Sequence, residues 1–109
     1  MSLAAKHCVP CRGGVPALAG EELERLKAEL PGWQVVDGHH LWKAFSFPDF
    51  LTALVFVNQA AVIAEAEGHH PDLLLAWGKV EVKIWTHKID GLTESDFILA
   101  AKLDQIQQN

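Results

Sequence analysis

Residues 80–86 alternate without a break: Val80, Val82, Ile84 and Thr86 fall on one side, Glu81, Lys83 and Trp85 on the other. Side chains of a strand point to opposite faces with a period of two, so this segment predicts a sheet with one buried face and one open face. Such half-buried strands belong to antiparallel sheets, since parallel sheets are covered on both sides. Residues 73–77 supply the hairpin partner through Gly78-Lys79. A second hairpin joins residues 33–36 to residues 41–47 through Asp37-Gly38, a pair suited to a tight turn.

Three helical segments surround these hairpins. Residues 20–30 carry Leu23, Leu26 and Leu30 at helical spacing and stop at Pro31-Gly32. Residues 49–67 follow Pro48, which suits a first helical turn, with Phe50, Leu54, Val57, Ala61 and Ala64 in one stripe, widened by Leu51, Val55 and Val62. This reads as the central helix, buried over much of its circumference. Gly68 suits a left-handed stop and Pro71 blocks resumption. Thr93 opens the third helix, with Asp96 as a capping acid and Phe97, Ala100 and Leu103 on one side. The fold class is α+β: a four-stranded, mainly antiparallel sheet with three helices on one face, in the order α-β-β-α-β-β-α. Residues 1–16 form an N-terminal arm and residues 17–109 the domain.

The 109 residues are half hydrophobic, which supports one packed core and excludes intrinsic disorder. No uninterrupted apolar run approaches a membrane span, and no export signal is expected, so no membrane role is expected and the compartment reads as cytoplasmic. A net charge of −5 with no basic run disfavours nucleic acid as a partner. Cys8 and Cys11 form a C-x-x-C in a Pro/Gly-rich stretch, without the further ligands a zinc site needs or the strand–helix junction of a redox pair. The pair is expected as reduced thiols on a loosely held arm.

Six histidines remain to be placed. His7, His39 and His40 read as solvated arm and turn residues. His69 and His70 occupy the break before the third strand, and His87 follows the fourth. Antiparallel pairing through Gly78-Lys79 brings these three together, subject to the hairpin register. Three such histidines are open to three readings: hydrogen-bonded surface residues, a His₃ metal site with Glu65, Glu67 or Asp72 behind it, or metal-free general acid–base catalysis. Glu65, four residues before His69, could bond a histidine or a substrate amine. Trp33, Trp77 and Trp85 could stack on a flat heterocycle, with core packing the competing role.

The spacing Glu65-x-x-x-His69-His70-Pro71, then Trp77, His87 and Asp96, resembles the pterin-4a-carbinolamine dehydratases. Gly91-Leu92-Thr93-x-x-Asp96, Pro31-Gly32-Trp33 and Phe45-x-Phe47 extend the resemblance over residues 17–106. It implies a metal-free site that removes water from a 4a-hydroxytetrahydropterin to give a quinonoid dihydropterin, recycling the cofactor of aromatic amino acid hydroxylases. The pterin is then substrate, and no separate cofactor or metal is implied. His69, His70 and His87 are the implied catalytic set: His69 and His87 move protons, and His70 binds and orients. Glu65, Trp33 and Pro71 are implied to hold the pterin. Some relatives carry a Cys where this chain has Ile89, so no thiol assists there. The resemblance also implies a homodimer or homotetramer packed through helices, with a functional link to a hydroxylase. The alternative is a catalytically silent member acting as a protein-binding or assembly factor, although such members tend to lose the histidine set.

Overall fold

The computed structural model describes residues 2–9 and 16–106. Their elements run α1 (Gly20–Ala28), β1 (Gln34–Val36), β2 (His40–Ser46), α2 (Phe50–Glu67), β3 (Asp72–Ala76), β4 (Lys79–Ile84) and α3 (Glu94–Asp104), with single 3₁₀ turns at Leu3–Ala5 and His87–Ile89. The alternation of residues 80–86 sets the centre of this arrangement. Val80, Val82, Ile84 and Thr86 are all buried, and β4 lies inside a sheet of order β1-β2-β4-β3. All three pairings are antiparallel. Leu41 and Phe45 of β2 join the same buried face, against α2 and α3. The expected α+β architecture and element order hold.

The two long helices exchange the roles expected of them. α3 is the enclosed one, with Phe97, Ile98, Leu99, Ala100 and Leu103 all in the core. Its apolar residues are therefore not a surface for assembly. α2 buries only the stripe Ala53, Phe56, Ala60 and Ala64, while Leu51 and Val62 are 67% and 70% exposed. The stripe expected from Phe50 through Ala64 is thus rotated about the helix axis. A helix that is apolar all round does not say which side meets its own sheet. By length and composition α2 could cross a membrane, at 18 residues and mean hydropathy 1.4. Thr52, Asn58 and Gln59 interrupt its apolar runs without lowering the average far, so no single run in the sequence is long. The helix starts at Phe50 and leaves Pro48 outside its first turn: Asp49 is its N-cap, accepting from the Thr52 N–H at 2.8 Å.

The arm is not loosely held over residues 2–9. Leu3 is buried in the core, and the Lys102 ammonium donates to the Ala4 carbonyl at 2.9 Å. Glu67, at the end of α2 with a side chain only 8% exposed, accepts from the Cys8 backbone N–H at 2.7 Å and pairs with His7 Nδ1 at 3.1 Å. The Cys8 thiol donates to the Ser95 carbonyl, and the Val9 N–H donates to Ser95 Oγ. Burial, followed by the Glu67 charge, pushes the Cys8 thiol up to about 12, so it stays protonated and is a poor nucleophile. Cys11 lies outside the described residues.

The Cys8 N–H above all holds the Glu67 carboxyl below its ordinary value of 4.5. A carboxylate lowered on folding stabilises the docked arm above its unfolded value and loses that contribution as pH falls through the lowered one. The protection factors of the Cys8 and Val9 amides, which take out the pH dependence of intrinsic exchange, should therefore fall on acidification below pH 4.5, and Glu67→Gln should lower them at neutral pH. Protection factors unmoved by both changes would show that Glu67 does not hold the arm.

Candidate active site

Three chain segments meet at one end of the sheet. The first is the end of α2, closed by a Schellman turn: Gly68 takes φ 65°, its N–H reaches the Glu65 carbonyl, and the His69 N–H reaches Ala64 at 3.2 Å. A left-handed residue is required there, which is why glycine stands at 68 and why the chain turns sharply enough to present His69 inward. Pro71, half-buried, then leads directly into β3.

The second segment is the loop after β4. The pairing Asp72↔Lys83 sets the His69-His70 break beside the end of β4, as the hairpin pattern predicted. Thr86 and Gly91 form an isolated bridge, with the Thr86 N–H donating to the Gly91 carbonyl at 2.8 Å. This closes a tight loop carrying His87. A Cβ at residue 91 would lie 2.7 Å from the Ala17 Cβ, so only glycine lets the loop pack against the chain entering α1.

The third is the N-terminus of α3, and its Asp96 ties the other two together. Asp96 is fully buried. Its Oδ1 accepts from His69 Nε2 at 2.5 Å, and its Oδ2 accepts from Thr86 Oγ1 and the Thr93 backbone N–H, both at 2.8 Å. Because the Thr86 hydroxyl donates to Asp96, the Thr93 hydroxyl 3.0 Å away must donate to Thr86. A buried carboxylate is tolerable only when its oxygens are filled in this way. The result orients His69: Nε2 faces Asp96, and Nδ1 is left for another partner. The His69 side chain keeps 13% of its surface exposed.

His70 faces outward, with Nε2 on Glu65 Oε2 in an exposed pair. Glu65 thus takes the first of its two expected options, bonding a histidine. His87 is exposed, its ring 4.2 Å from that of Trp85. Among the described residues no three His, Cys, Asp or Glu side chains are grouped to hold a metal ion.

Two expected placements change. Trp33 does not face this end of the sheet as a free stacking surface: it is 3% exposed, edge-on to Phe45, with Nε1 donating to Asp104. An indole beside a Pro-Gly turn buries its apolar body and needs only one acceptor for its N–H. His39 and His40 are not simply solvated. His39 Nε2 donates to Asp90 at 2.7 Å, and both rings pack near Trp85. Burial first, then the Lys83 charge, lowers the His40 pKa from the ordinary histidine value. Trp77, 73% exposed, follows β3 at the end opposite the His69-His70 pair.

In the sequence Asp96 stands as a capping acid and as part of the spacing that resembles the family, with no bonding partner implied among the histidines. Its spacing three residues after Thr93 is the ordinary capping signal, and nothing in it points to a histidine 27 residues earlier.

The model of the family described as Pterin 4 alpha carbinolamine dehydratase matches residues 16–106. The chain belongs to that family. A Rubrobacter xylanophilus protein named "Putative pterin-4-alpha-carbinolamine dehydratase" is 60% identical over 104 residues, covering 95% of this chain and 97% of the relative. A Rickettsia bellii protein of the same name is 55% identical over 107 residues, covering 97% and 95%. The crystal structure of a transcriptional coactivator/pterin dehydratase from Brucella melitensis superposes with a TM-score of 0.76 at 39% identity, over 82% of this chain and 96% of that one. A pterin dehydratase-like RuBisCO assembly factor shares the fold, with a TM-score of 0.55 at 23% identity, over 66% of this chain and 82% of that one. The family's fold therefore accounts for nearly the whole chain.

Replacing Asp96 with Ala removes the cap and leaves three donors without their acceptor. Asp96→Ala should lower the unfolding free energy by about 2–4 kcal/mol, read by urea denaturation. A loss within error of zero would show that the carboxylate does not organise this end of the fold.

Proposed function

We propose that this chain dehydrates a 4a-hydroxytetrahydropterin to the quinonoid dihydropterin by histidine general acid–base catalysis. The observation that supports it best is the Asp96 link, which joins His69 to Thr86, the residue next to His87. Two imidazoles are thereby drawn to one end of the sheet, one of them with a defined ring orientation.

Hydroxide leaves poorly, so an imidazolium gives its proton to the 4a-oxygen as the C4a–O bond breaks and water departs. The N5 lone pair forms the C4a=N5 bond, and a neutral imidazole takes the N5 proton. No electrons are exchanged with the protein, and the proton given and the proton taken balance. Imidazole suits both roles because it alone among ordinary side chains changes charge near neutrality. His69 and His87 carry these transfers in this proposal. His69 acts through Nδ1, since Nε2 is engaged by Asp96. His70, braced by Glu65, binds and orients the pterin, with Pro71 beside it. Trp33 is no longer assigned to the substrate, because its ring is enclosed.

The pterin is the substrate rather than a resident cofactor, and an aromatic amino acid hydroxylase is the proposed source of the carbinolamine. The exposed apolar side of α2 supports a homodimer or homotetramer, and a strictly monomeric chain in sedimentation equilibrium would remove that part.

A rapid-mixing assay with freshly generated 4a-hydroxytetrahydropterin tests the reading. The chain should accelerate dehydration above the spontaneous rate. His87→Ala should keep its fold by circular dichroism yet lose roughly 10²- to 10⁴-fold of that acceleration. Unchanged turnover in the variant would take His87 out of the mechanism. No acceleration by the unmodified chain would favour the protein-binding or assembly role.

A further inference from the structure

The turn between β1 and β2 reaches the loop that carries His87. Asp37 and Gly38 both take positive φ, and the His39 N–H closes the turn on the Val36 carbonyl at 2.9 Å. This swings His39 over β2 toward the end of β4. Its Nε2 donates to Asp90 Oδ1 at 2.7 Å. Asp90 is the left-handed residue, φ 51°, that ends the 3₁₀ turn His87–Ile89. One side chain of the first hairpin is thus fastened to the last residue of the loop holding a proposed catalytic histidine.

Trp85 fills the space between them. Its ring centroid lies 5.3 Å from His39, 6.1 Å from His40 and 4.2 Å from His87. The Lys83 ammonium covers it at 5.4 Å. The register explains the crowding: Leu41↔Ile84 and Asp72↔Lys83, each carried on to the end of β4, set His40 on one side of Trp85 and His70 on the other. His39 and His40 steady each other, with Nδ1 atoms 3.0 Å apart.

We propose that the His39–Asp90 clasp and the Trp85 ring are positioning devices that hold the His87 imidazole in its working orientation, making the first hairpin turn part of the active site. The clasp fixes the end of the loop, and the indole face limits rotation of the ring it touches. His39, His40 and Trp85 act through His87 and do not exchange protons with substrate. The inference rests on the reading of His87 as a proton-transfer group, so its test needs a readout independent of turnover.

Proton NMR of the histidine ring signals supplies one. In the unmodified chain the Trp85 ring current should shift the His87 carbon-bound ring protons upfield. His39→Ala and Asp90→Gly should move them toward the free-imidazole position, and Trp85→Ala should abolish the shift. Glycine keeps the left-handed backbone at residue 90, so the second variant cuts the clasp without straining the turn. In the dehydration assay both clasp variants should lower kcat roughly tenfold or more while KM changes little, since misaimed catalytic groups cost rate. His39→Gln, whose amide can still reach Asp90, should restore most of the rate.

Unshifted His87 signals in the unmodified chain, or clasp variants with unchanged signals and unchanged kcat, would overturn the inference. A shifted His87 signal in a chain with no dehydratase activity would instead leave the ring contact standing and remove the reading on which its purpose depends.

Discussion

One buried carboxylate carries the arrangement. Asp96 sits at the start of α3 with no exposed surface, and its oxygens accept from the backbone of α3, from the end of β4 and from the chain leaving α2. Taking a carboxylate out of water without partners would cost several kcal/mol, so the three segments must meet in one geometry for the domain to close. The same three donors that make the burial tolerable include the imidazole proposed to move the substrate proton. Stability and ring orientation at His69 therefore come from a single interaction.

Around that point the domain is tied by short, unequal means. A Schellman turn at Gly68 aims His69, and a bridge between Thr86 and Gly91 shapes the His87 loop. Glu67 and Ser95, close to the site on α2 and α3, bind the arm. The arm thereby joins the end of α2 to the start of α3. Enclosure is uneven as a result: α3 lies within the core, while much of the apolar surface of α2 faces outward.

Periodicity in the chain identified what depends on it. The alternation of residues 80–86 fixed which face of β4 is buried, and Gly78-Lys79 fixed a register that puts His69 and His70 beside the end of that strand. What failed had no periodic signature. The side of α2 that packs inward could not be chosen because apolar residues surround the helix. Trp33 and Trp85 are the same residue type, and only their surroundings make one a core residue and the other a neighbour of His87. His39 looks like a turn residue because its partner, Asp90, lies 51 positions away. The link from Asp96 to His69 was hidden for the same reason: its short-range capping role already explained the residue.

Nitrogen-15 NMR of the His69 ring reads the oxygen–nitrogen contact on which this account turns. In the neutral ring, the proton should reside on Nε2, held by Asp96, and Nδ1 should be the nitrogen whose shift changes as the ring gains a proton. A neutral His69 with its proton on Nδ1, or with the mixed tautomers of a free imidazole, would contradict the Asp96 contact and the proton-transfer role built on it.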